Sequence, residues 1–181
     1  ASVDVGFSDA LTGLRSIKML GLDGDYLQIT RENMPFVRGI SSSYGLEFIP
    51  GSWIEKIQVS KGVGSVLNGF ESMTGQINID LYNTQNSPLF FFNGFLSDSK
   101  EESNIILSSR YRDWLSAFLF HASAKSTASD HNQDTFLDDP LGSQINLIQR
   151  LEYIGNDDLY LTFSIQGLKD EKRAGSDDFN I

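Results

Sequence analysis

Hydrophobic positions along this chain repeat with period two, and the repeat comes in two styles. In 54–61, Ile54, Ile57 and Val59 are apolar with charged or amide groups between them; in 76–81, Gln76, Asn78 and Asp80 alternate with Ile77, Ile79 and Leu81. Such alternation marks half-buried strands. The Gly- and Ser-rich stretch GVGSVLNGFESMTG separates the two and reads as a loop or short turn. Upstream, 16–20 and 26–30 read as strands around the turn GLDGD; ENMP is a second turn, where Pro35 stops any helix. Residues 9–15 carry the signals of a short helix, with Ser8 as N-cap and Gly13 near its end. Residues 44–53 fit no single period. Residues 1–86 thus predict a small α+β domain.

From residue 87 the style changes. Consecutive segments of about 10 residues alternate, the length of a tilted membrane β-strand. In 87–97 one face carries Phe90, Phe92, Gly94 and Leu96. In 103–112, Ile105, Leu107 and Tyr111 lie opposite Asn104, Arg110 and Arg112. In 113–125, Trp114, Phe118 and Phe120 lie opposite His121 and Ser123. In 144–153, Ile145, Leu147, Leu151 and Tyr153 oppose Asn146, Arg150 and Glu152, and 159–168 sets Leu161, Phe163 and Ile165 against Thr162, Ser164 and Gln166. Connections at 112–114 and 155–158 are tight, 97–102 is somewhat longer, and 124–142 is much longer. Outer-membrane barrels have short periplasmic turns and long outer loops, and Trp114 and Tyr153 fall at strand ends, where aromatic girdles belong. Residues 87–181 therefore predict antiparallel strands of a transmembrane β-barrel, with a soluble β-sandwich as the alternative that also alternates. Five strands cannot close a large barrel, so the barrel reading requires further chain. The abrupt opening at Ala1 and the end at Ile181 fit a piece of a longer protein.

Charge and composition narrow the classes. A net charge of −10 lacks the basic surface that nucleic acid needs, so no nucleic-acid partner is expected. The absence of Cys excludes disulfides, thiolate metal sites and Cys nucleophiles.

The two styles together resemble the TonB-dependent outer-membrane receptors. In that family a plug ends with a strand, a Lys/Arg-Gly pair, a small-residue loop and a GGxINI-like strand. Here Ile57–Gln58–Val59–Ser60–Lys61–Gly62, then Ser65 and Asn68–Gly69, then Thr74–Gly75–Gln76–Ile77–Asn78–Ile79 stand in that order. ENMPFVRG occupies the place of the family's DGVP turn, IPGSWIEKI that of its P…IexIEV segment, and Met19–Leu20 departs from a common Arg-Gly pair. TGQINI and SIKMLGLDGDYLQI look most like receptors of the Bacteroidota group. The resemblance implies a plug (Lys61, Gly62, Gly69, Gly75 and Asn78 as its motif residues) inside a barrel of the bacterial outer membrane. It also implies uptake of a scarce nutrient such as a metal chelate, siderophore or vitamin. The implied partners are membrane lipid, the periplasmic TonB system and, in some complexes, a surface lipoprotein or other outer-membrane subunits. Lys61 and Glu71 either pair with lumen charges such as Arg110, Arg150 or Glu152, or are solvated. Other classes stay open: a receptor-like barrel acting as a non-transporting subunit, and a soluble calcium-binding adhesion module.

One loop suggests a cation. In DHNQDTFLDD, Asp130, Asn132, Asp134, the Phe136 carbonyl and Asp138 fall at relative positions one, three, five, seven and nine, the spacing of a Ca²⁺ loop. Thr135 replaces the usual Gly and Leu141 the usual Glu, so a solvated acidic loop is the competing reading. No enzyme is expected: His121 and His131 are the only histidines, and no nucleophile–base spacing, phosphate loop or metalloprotease motif is present.

Overall fold

A computed structural model describes residues 3–9, 14–22, 26–36, 39–62, 72–131, 135–155 and 159–176. The chain forms two units, Ala1–Leu81 and Tyr82–Ile181. Nearly all regular structure is β, and most pairings are antiparallel.

In the first unit β1 (Val3–Asp9) and β2 (Leu14–Met19) form an antiparallel pair, from Val3 opposite Met19 to Asp9 opposite Leu14. The helix expected over 9–15 is therefore corrected: Asp9, Leu14 and Arg15 are all in strands. Cross-strand pairing of Val3 and Val5 with Met19 and Ile17 outweighs a local capping signal. Met19 and Leu22 exchange two backbone hydrogen bonds of 3.1 Å around Leu20 and Gly21, both at positive φ. This tight turn ends β2 without returning it as a hairpin to β3 (Leu27–Arg31), as the sequence had suggested. β3 instead pairs with β4 (Met34–Pro35) across a Glu32–Asn33 turn at positive φ, and runs parallel to β6 (Gly75–Leu81). The positive φ at both central residues defines a type I′ turn, which matches the natural strand twist.

β5 (Ile54–Lys61) completes a mixed sheet of order β4-β3-β6-β5. The stretch 44–53, which fits no single period, falls largely in two 3₁₀ turns, Gly39–Phe48 and Gly51–Trp53. Among the described residues the unit's helical turns are all 3₁₀, so the α component of the expected α+β domain is not found there. Its core gathers Leu14, Met19, Leu27, Trp53, Ile77, Ile79 and Leu81. β6 is flanked on both sides, so its polar residue Asn78 is buried along with its apolar ones; the strand is central rather than amphipathic.

The second unit is an antiparallel meander: β7 (Phe90–Leu96), β8 (Lys100–Tyr111), β9 (Trp114–Lys125), β10 (Leu141–Ile154) and β11 (Tyr160–Arg173), each paired with the next. β8 begins two residues before the end of the expected 97–102 connection, which shrinks to a turn closed by Ser97 N–H donating to the Lys100 carbonyl at 2.8 Å. Arg112 and Asp113 alone join β8 to β9, whereas 126–140 is a long loop.

Candidate functional site

Directly opposed residues of an antiparallel pair share a face, and the observed register puts every predicted apolar set on one face of the meander. Phe90 opposes Leu107, Leu107 opposes Phe118, Phe120 opposes Leu147, and Leu151 opposes Phe163. That face is uncovered: Phe90 is 67% exposed, Leu107 43% and Phe163 60%. The other face is buried over the three middle strands, β8 to β10, and it is the more polar one. Asn104, His121, Gln144, Asn146, Arg150 and Glu152 are buried there beside Ile106, Leu119 and Ile148. A soluble sheet does the reverse, because exposing apolar area to water costs about 25 cal/mol per Å².

The uncovered face ends at one side in an aromatic row. Tyr111, Trp114 and Tyr153 oppose one another across three strands, and the Trp114 and Tyr153 ring centroids are 5.0 Å apart. Arg112, held at φ 53° in the tight turn, lays its guanidinium 5.3 Å from the centroid of Tyr111. At the other side Glu101 and Glu171 end the apolar rows. Within the band, Gln149 is a large polar side chain, and its amide donates to Ser116 Oγ on the same face and to the Arg150 carbonyl, both at 2.9 Å.

The covered face carries a hydrogen-bond chain that no single segment of sequence shows. Lys100 Nζ pairs with Glu102 Oε2 at 2.8 Å, Asn104 Nδ2 donates to Glu102 Oε1 at 3.0 Å, and His121 Nδ1 lies 2.7 Å from Asn104 Oδ1. Because Asn104 spends its amide N–H on Glu102, its oxygen accepts, so His121 donates from Nδ1. His121 is thus a satisfied histidine. Farther along, Gln166 donates to Asn146 Oδ1 at 3.0 Å and Gln144 to Asp170 at 3.1 Å. Register is the missing signal: the Asn104–His121 contact follows only once the two are known to oppose each other.

Three of the five motif residues expected in the first unit lie on the β5–β6 pair, and a fourth, Gly62, follows β5 directly. Lys61 ends β5 opposite Gly75, and Gly62, at φ 94°, donates its N–H to the Thr74 carbonyl at 2.9 Å. Asn78 ties three elements: its Oδ1 accepts from Thr30 Oγ1 at 2.9 Å and from the Asn33 N–H at 2.8 Å, and its Nδ2 donates to Asp80 at 2.8 Å. Gly69 and Glu71 lie outside the described residues. Lys61 stands exposed at the end of β5.

Of the cation loop, Asn132 and Asp134 lie outside the described residues. Asp130 Oδ2 accepts from the Thr135 N–H at 3.0 Å, and Asp138 Oδ2 accepts from His131 N–H at 2.8 Å and faces His131 Nδ1 at 2.7 Å. Among the described residues no three acidic or histidine side chains converge. The His131 backbone N–H, followed by its ring, holds the Asp138 carboxyl below the usual carboxylate range. A lowered folded-state pKa stabilises above the unfolded pKa and is lost as pH falls through the folded one. In calcium-free buffer the His131 amide should therefore stay protected from neutral pH down through the ordinary Asp range and lose protection only below it. Amide exchange measured against pH checks this, and Asp138→Asn should remove the acid transition.

No family profile matches the chain, and no curated protein matches it. Solved structures do. The FrpB iron transporter from Neisseria meningitidis, F3-3 variant, matches with TM-score 0.65 at 13% identity over 93% of this chain and 27% of that one. The F5-1 variant in its apoprotein form gives 0.65 and 13% over 96% and 28%, and a further F5-1 structure gives 0.65 and 12% over 91% and 27%. The likeness is one of fold, and the chain spans little more than a quarter of these transporters' length.

Proposed function

We propose that the chain is part of an outer-membrane receptor of the TonB-dependent, Bacteroidota-like kind that takes up a scarce nutrient, with 1–81 in the plug and 82–181 in the barrel wall. One observation supports this reading: the meander leaves its apolar face bare, while the polar face of its middle strands β8 to β10 is buried. The ten residue steps from Glu101 to Tyr111 span ~33 Å along β8, or ~25 Å in height at a tilt of about 40°, the height of a barrel's apolar band. The fold shared with iron transporters points the same way. On this reading lipid covers the bare face, the periplasmic TonB system supplies energy, and the cargo is a metal chelate or similar nutrient.

The test is growth and uptake. A strain lacking the full-length gene is compared with wild type on limiting iron, copper and cobalamin. A defect on one nutrient, rescued by the gene, supports transport; growth unchanged on all three, with the protein copurifying stoichiometrically with other envelope proteins, overturns it. Calcium binding by Asp130, Asn132, Asp134, the Phe136 carbonyl and Asp138 belongs to the same proposal. Calcium should raise the melting temperature of the intact protein but not that of Asp134→Ala, as read by calorimetry with and without a chelator. Equal shifts in both proteins would exclude the loop.

A further inference from the structure

Arg112 has no acidic partner among the described residues, although Asp113 follows it directly. Its guanidinium is instead held against the Tyr111 ring, which stands on the bare apolar face. The turn thus sets a cation at the rim of that face, directly beyond the aromatic row Tyr111, Trp114 and Tyr153. Tyr111 and Trp114 are 68% and 50% exposed, so the row is open to a ligand from the side. A guanidinium over an aromatic ring keeps its N–H edge free to donate, and paired N–H donors match a phosphate's oxygens.

We propose that Tyr111, Arg112, Trp114 and Tyr153 form a binding site for the head group of a glycerophospholipid. The phosphate takes the Arg112 donors, the ester region lies against the Trp114–Tyr153 pair, and the acyl chains run along Leu107, Phe118 and Leu151. The long 126–140 connection at the opposite end selects the source: long loops face outward, so the Arg112 turn lies at the periplasmic side, where the leaflet is glycerophospholipid. This inference rests on the membrane reading above.

The experiment uses the full-length protein, purified in detergent and exchanged with phosphatidylglycerol. Native mass spectrometry should find retained phospholipid on the wild type and about tenfold weaker retention on Arg112→Gln, the loss of one charged, bidentate contact. Arg112→Lys should restore only part of it. Equal retention by wild type and Arg112→Gln overturns the site, as does retention of lipopolysaccharide in place of phospholipid. A second arm separates this from failure of the membrane reading. In a Phe118→Trp variant, lipids brominated in mid-chain should quench the new tryptophan in vesicles. Quenching with no Arg112 dependence sinks the head-group site alone; absence of quenching sinks the membrane reading and the site with it.

Discussion

Leu147→Arg should destabilise the intact protein in lipid vesicles by about 2–4 kcal/mol, the cost of a cation near the middle of a barrel's lipid face. Leu147 sits between Phe120 and Gly167, roughly halfway between the aromatic row and the Glu101–Glu171 end. Its side chain points to the bare face, where only a hydrocarbon neighbour makes Arg expensive. In water the same substitution on a half-exposed strand would change stability by less than about 0.5 kcal/mol. Ser143→Arg, on the same face but in the charged end row, should cost about 0–1 kcal/mol. Urea unfolding in vesicles measures both. The depth gradient is the decisive quantity, because Ile148→Arg on the covered face would be harmful with or without a membrane. If the two outward substitutions prove equally mild, the bare face does not meet lipid.

What was readable in the sequence was the period, and what was not was the partner. The strands over 54–61 and 75–81 and all five strands of the meander follow from alternation, which is a local property of the chain. The common apolar face also follows, since Phe90, Leu107, Phe118, Leu147 and Phe163 keep their parity when the register is imposed. Pairing itself is non-local. β3 looked like the return strand of β2, yet it runs parallel to β6, with Leu27 opposite Gly75. Asp9, Leu14 and Arg15 depart from their local signal for the same reason: capping is local, and the strand partners that outweigh it lie on the opposite strand. Asn78 shows the limit of reading faces from one strand. Polar–apolar alternation implied an outward amide, but a neighbour on each side buries it, and Thr30 and Asn33 supply the hydrogen bonds that make burial tolerable. The chain from Lys100 to His121 and the Arg112–Tyr111 stack needed three-dimensional register or a turn conformation, neither of which a period encodes.

Gly75→Ala should unfold the four-stranded sheet of the first unit, at a cost of about 3 kcal/mol, while leaving the meander intact. A methyl group at Gly75 would fall on the Ser60 carbonyl oxygen and on Met19 Sδ, with Lys61 Cα 3.4 Å away. Two of these are backbone atoms of the paired strand β5, and Met19 is wholly buried, so none can yield without parting β5 from β6 or moving β2. Gly62→Ala tests whether this is steric crowding or merely lost glycine freedom. That residue needs a left-handed backbone but has open space around its Cα, so alanine there should cost only about 1–2 kcal/mol of strain. Amide exchange in the intact protein separates the two. Gly75→Ala should expose Leu27–Arg31 and Gly75–Leu81 to rapid exchange with β7–β11 still protected, and Gly62→Ala should raise exchange only near Lys61 and Thr74. Slow exchange throughout β3 and β6 in Gly75→Ala would mean that the close approach of β5 and Met19 to β6 is not what requires glycine at this position.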